Sequence, residues 1–215
     1  MRRLILAAVL APTFALAQGA ADMTADEFKM YRQWQKAMND PRVQKMKPEA
    51  RNGAIAKDAK FKLKEMEAAV AKGEAAGDLK AGCESAIKQG LSGTDLGSRL
   101  GTIEVDTSEP HAVAYVQWMN ADQKQLEEEA ALAAVNTAKA CPLLSTIQVW
   151  AQDQSAPKTR VFQALISQTA ASRINPDRIK DFADTRFIRL FENVKNAANG
   201  DVIVPDAAPS EGAAQ

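Results

Sequence analysis

Chemistry near neutral pH usually needs an imidazole, a thiolate or paired carboxylates, and this chain holds few of each. Its single histidine, His111, follows Pro110 at an expected strand start. A general base of this kind works on a nucleophile held beside it. No serine stands in a G-x-S-x-G setting, and both cysteines are expected to be joined to each other. His111 is therefore read as a turn or strand-end residue. Carboxylates cluster at Glu127 to Glu129 and at Asp181 with Asp184, and glycoside hydrolysis requires two carboxyls flanking a sugar bond. The favoured reading is a solvated helix surface, because acids in a first turn complement the helix dipole and Arg178, Arg186 and Arg189 are spaced to pair with Asp181 and Asp184.

Metal and phosphate chemistry find little support. A zinc site draws on several His and Cys ligands, and one histidine with two disulfide-bound cysteines cannot supply them. Gly93, Gly97 and Gly101 lack the lysine and the strand-loop-helix setting of a nucleotide cradle. No metal and no cofactor are expected. Aromatic residues offer a different lead: Trp150 lies between Gln148 and Gln152 on the more polar side of an expected strand, and Trp118 ends the neighbouring one. A sugar or peptide can stack on such residues, although a tryptophan packed under a helix is the competing explanation.

Cys83 and Cys141 are the whole cysteine complement. An isolated pair in an oxidising compartment forms one structural disulfide, and no C-x-x-C marks redox catalysis. The compartment follows from the first 17 residues. Arg2 and Arg3 precede an apolar stretch, Leu4 to Leu16, that is too short to span a bilayer, and Ala15-Leu16-Ala17 has the small residues of a signal-peptidase site. Cleavage after Ala17 leaves 198 residues in the periplasm or the medium, with 25 Lys plus Arg against 27 Asp plus Glu. No basic excess points to nucleic acid, and no second apolar run provides a transmembrane anchor.

The elements that must position these residues are marked by their periodicity. Thr24 and Glu27 form a capping box for a first helix with Phe28, Tyr31, Trp34 and Met38 on one stripe. After Pro48, the residues Ile55, Ala59, Leu63, Met66 and Val70 trace one face of a lysine-rich second helix. That helix is suited to meeting acidic headgroups, but its glutamates favour a plain solvated surface. Gly73 to Gly77 interrupts, and Leu79, Cys83, Ile87 and Leu91 define a third helix. Residues 92–101 read as a loop between halves. Beyond it, 102–106 and 112–118 predict a hairpin, 121–140 an alanine-rich helix and 146–152 a strand. Residues 160–167 fit strand or helix. Asn175 and Pro176 open a last helix whose apolar face runs from Ile179 to Val194 and which Asn199-Gly200 can end, and 200–215 reads as a disordered tail.

These elements predict an α+β fold, mostly helical. A helical region over 18–91 is followed over 102–199 by a small antiparallel sheet with two packed helices, an all-α fold being the alternative. The expected function is a non-enzymatic exported binding, assembly or scaffolding protein of the bacterial envelope, with an envelope protein or glycan as partner. Gln148, Trp150, Gln152 and Trp118 form its expected ligand surface. The alternatives are an enzyme acting on envelope polysaccharide or peptide, and a chaperone-like holder of unfolded clients.

Overall fold

The computed structural model describes residues 23–179 and 185–203. The expected export segment, Asp181, Asp184 and the expected tail from residue 204 onward lie outside the described residues. The first helix, α1 (Ala25–Met38), starts as expected: the Thr24 hydroxyl accepts from the Glu27 amide while the Glu27 carboxylate accepts from the Thr24 amide. A short turn, α2 (Pro41–Gln44), leads to α3 (Pro48–Asp58) and α4 (Leu63–Ala76).

The second helix of the sequence reading is thus two helices. Lys60 adopts a positive φ of 59°, and the Phe61 amide turns back to donate to the Ala56 carbonyl at 2.8 Å. Phe61 then packs with Ile55, Ala56, Met66 and Val70 in a satellite core shared with Trp34 and Met38 of α1. Helical periodicity continues across the break and predicts Leu63 on the buried face, whereas it is 41% exposed. Nor does Gly73 interrupt α4. It sits against Tyr31 so closely that a Cβ there would lie 2.6 Å from the ring.

The helix α5 (Leu79–Ser92) buries its Leu79, Cys83, Ile87 and Leu91 stripe as expected. Five strands follow in sheet order β1 (Leu100–Asp106), β2 (Ala112–Asn120), β3 (Leu144–Asp153), β4 (Arg160–Ser167) and β5 (Glu192–Asn196). Residues 160–167 are therefore strand. The sheet is mixed rather than antiparallel, because β2 and β3 run parallel while every other pair is antiparallel. The cause is α6 (Leu126–Ala140), a 15-residue helix between them. It carries the chain back along the sheet, so β3 starts at the same end as β2.

The last helix is also corrected. Only α8 (Pro176–Ile179) forms at its start, a 3₁₀ turn covers Thr185–Leu190, and β5 pairs with the free edge of β4, Lys195 opposite Gln163. An unpaired strand edge offers a row of backbone partners that a helix cannot use, and that gain overrides the helical spacing of Phe187, Leu190 and Val194. Between β4 and α8 lies the one-turn helix α7 (Gln168–Ala171).

One face of the sheet is covered. Ala114, Val116, Trp118, Ile147, Val149, Ala151, Phe162 and Ala164 are fully buried beneath α5 and α6, in a single core that also takes in Phe28 of α1. The alanines of α6 let its backbone lie close to the strands. Cys83 of α5 and Cys141 at the end of α6 are joined, with their Cα atoms 5.3 Å apart, so the expected disulfide ties the two covering helices together. Among the described residues no helix is long and apolar enough to cross a membrane.

Candidate functional site

Of the carboxylates weighed for catalysis and read as a solvated helix surface, Glu127 to Glu129 lie in the first turn of α6. Glu129 is 5% exposed and serves as the hub of a buried network. Its Oε1 accepts from Nη1 of Arg99 at 2.6 Å, and its Oε2 accepts from the Trp118 indole and the Asn120 amide, each at 2.7 Å. Arg99 also donates to the Met119 and Asp95 carbonyls. Both carboxylate oxygens are engaged, so this acid holds α6 to β2 and to the turn before β1 rather than facing a ligand. Glu127 and Glu128 are half-buried on the same helix, and His111 is exposed in the bend before β2. Among the described residues no group of three or more His, Cys, Asp or Glu side chains could hold a metal ion.

The expected ligand surface divides between the two faces of the sheet. Trp118 points inward and is fully buried. Gln148, Trp150 and Gln152 point the other way, onto the face that neither α5 nor α6 covers, and each is half-buried. The strand registers build rows around them. One row sets Gln117 beside Trp150 and Trp150 beside Gln163, and the next sets Glu104, Tyr115, Gln148 and Leu165 side by side. Tyr115 meets Trp150 edge-on, their ring centroids 6.3 Å apart, while the Arg160 guanidinium stands 5.2 Å above the indole. A cation over an aromatic face is held by the ring quadrupole. Arg160 is fixed further by donating to Gln163 at 2.8 Å, and Gln117 donates to Gln152.

Around Trp150 this face sets one tyrosine, four glutamines and an arginine, bordered by Glu104, Leu165 and Lys195. Burial, followed by the negative charges of Asp106 and Glu104, holds the Tyr115 phenol above its usual pKa, so it stays a neutral hydroxyl throughout the physiological range. Gly101 on β1 leaves room for Gln117, since a Cβ there would come within 3.0 Å of its amide. Beside the aromatic pair, Gln148, Gln163, Leu165, Val194 and Lys195 line an open groove of about 420 Å³. A larger cleft of about 660 Å³ lies between α1 and the β1–β2 turn. Two of its donors are engaged within the fold, Arg32 with the Ser108 carbonyl and Trp34 with Asn52.

Four residues of the open face escaped the sequence reading: Tyr115, Gln117, Arg160 and Gln163. Alternation within β2 marks Tyr115 and Gln117 as outward, but only the parallel register of β2 on β3 sets them against Trp150. Arg160 reaches the indole because the pairing of β3 with β4 shifts register between Ala151 and Gln152, an irregularity that no local pattern encodes. Compared with family models, with curated proteins and with solved structures, the chain matches none of them.

Proposed function

We propose that this chain is an exported, non-enzymatic binding module of the bacterial envelope, and that it holds a neutral glycan on the uncovered face of its sheet. The observation that carries this reading is the Tyr115, Trp150 and Arg160 cluster set among Gln117, Gln148, Gln152 and Gln163. A sugar ring presents an apolar face of C–H groups that packs on an aromatic ring, and hydroxyls that need both donors and acceptors at its rim. Glutamine amides supply both from one side chain. An extended peptide would instead seek a strand edge, where backbone hydrogen bonds provide affinity. The engagement of Glu129 within the fold further favours binding over hydrolysis. Export after Ala17 is part of the same reading, and it supplies the oxidising compartment in which the Cys83–Cys141 disulfide forms.

The test is binding of the purified chain to isolated envelope glycan, measured by pull-down and by titration of soluble fragments. Trp150→Ala removes the stacking surface and is expected to weaken binding at least ten-fold while the melting temperature stays within a few degrees. Full retention of binding by Trp150→Ala and Gln148→Ala together would remove the proposed face from consideration.

A further inference from the structure

The segment that runs from α2 through α3 to the first turn of α4 has a basic excess that the near-neutral chain as a whole lacks. Residues 41–64 contain eight Lys or Arg but only two acids, Glu49 and Asp58. Two tripeptides within it repeat one design: Lys45-Met46-Lys47 lies just before α3, and Lys62-Leu63-Lys64 begins α4. Met46 and Leu63 are 36% and 41% exposed, and with Val202 they are the exposed large hydrophobic residues among those described. Each is flanked on both sides by an exposed lysine. Between the two tips runs α3, about 16 Å long for its 11 residues. Its outward residues Ala50, Gly53 and Lys57 are exposed, and a Cβ at Gly53 would meet nothing within 4 Å. Among the described residues Lys45, Lys47, Lys57, Lys60 and Lys64 enter no ion pair.

From this arrangement we infer that the α3–α4 unit is a docking surface for a membrane rich in anionic phospholipid, with Met46 and Leu63 entering the headgroup layer between lysines that meet the phosphates. The five lysines outside ion pairs supply the complementarity, whereas Lys62 is paired with Glu65 at 2.8 Å. Clusters of four to eight such residues are attracted to an anionic leaflet. The apolar tips distinguish a bilayer from a soluble polyanion, because a polymer phosphate offers no apolar layer in which to bury them, whereas an interfacial anchor gains from both contributions. On α3 the small Ala50 and Gly53 stand exposed beside Lys57, while Glu49 and Asp58 are the two acids of the segment, so the lysine stems can reach a flat surface with their charged ends outward. This surface shares no residue with the open face of the sheet, so its failure would leave the glycan reading untouched.

Vesicle flotation of the purified chain provides the test, using phosphatidylcholine alone and phosphatidylcholine with a third phosphatidylglycerol. Binding is expected only with the anionic vesicles and is expected to fall steeply as salt is raised. Neutralising one lysine near such a surface costs about five-fold in partitioning, so the paired variants Lys45→Glu/Lys47→Glu and Lys57→Glu/Lys64→Glu should each lose at least about 25-fold. Met46→Ser/Leu63→Ser should lose binding even at low salt. Lys57→Arg/Lys64→Arg should retain it, with equal melting temperatures throughout. No flotation with anionic vesicles, or undiminished flotation of the glutamate variants, overturns the inference. Undiminished binding by Met46→Ser/Leu63→Ser, with dextran sulfate competing fully, would identify a soluble polyanion as the partner and overturn it equally.

Discussion

Replacing Glu129 by alanine tests the most heavily connected residue of the fold. The substitution removes both acceptors from a nearly sealed site, leaving the Arg99 guanidinium, whose side chain is 21% exposed, facing a void together with the Trp118 and Asn120 donors. Removing one partner of a buried ion pair costs about 3–5 kcal/mol. Each stranded neutral donor costs about 1–3 kcal/mol when no water reaches it. These contributions overlap, since the cavity admits some water and Arg99 keeps its bonds to the Met119 and Asp95 carbonyls, so the net expectation is about 4 kcal/mol. For a domain of this size, 1 kcal/mol moves the melting temperature by about 2–4 °C, and Glu129→Ala should melt about 8–16 °C lower by circular dichroism. Glu129→Gln provides the sharper comparison. Its carbonyl can still accept from Trp118 and Asn120, but its amide then turns a donor toward the Arg99 donor, for an expected loss of about 2 kcal/mol. A shift below about 3 °C for Glu129→Ala would refute the claim that this network ties α6 to β2.

Other expectations concern the disulfide, two glycines and one carboxylate. Cys83→Ser/Cys141→Ser should cost about 4 kcal/mol in chemical denaturation, because the bond closes a loop of 58 residues, and reduction of the native chain should reproduce the loss. Gly53→Ala should stabilise α3 by about 0.5–1 kcal/mol, since its Cβ enters open space. Gly73→Ala should destabilise by about 1 kcal/mol or more, because the added methyl must displace the Tyr31 ring; equal shifts for the two would contradict the packing of α4 on α1. Burial alone would raise the pKa of Glu27, but hydrogen bonds from Lys72 and Thr24 together outweigh it and hold the carboxyl below its ordinary value. A depressed carboxylate stabilises the fold above its unfolded pKa, and that contribution is lost as pH falls from about 4.3 through the folded value. Glu27→Gln should accordingly be less stable than the parent at pH 7 and approach it at acid pH, as thermal melts across that range would reveal.

Local patterns placed much of this architecture, for reasons visible in particular residues. The Thr24 and Glu27 capping box, the Leu79 to Leu91 stripe and the alternation around Trp150 each express a backbone geometry whose hydrogen bonds and buried face lie within a dozen residues. The cysteine pair was legible for a different reason, since Cys83 and Cys141 are the whole cysteine complement and each has no other thiol in the chain to join.

What the tertiary structure alone decided was every choice between competing partners. Leu63 has the spacing of a core residue, yet Phe61 occupies that place because the chain turns at Lys60. Val194 continues the helical spacing of Phe187 and Leu190, yet the free edge of β4 recruits Glu192–Asn196 as a strand. Trp118 and Trp150 look alike in sequence, and β2 and β3 place one inside against Glu129 and the other on the open face beside Tyr115. Glu129 stood among three equivalent glutamates until the turn at Arg99 came within reach of it. A sequence states which groups need burial, charge or hydrogen bonds, whereas the partner that satisfies each need is set by the registers and crossings of segments far apart in the chain.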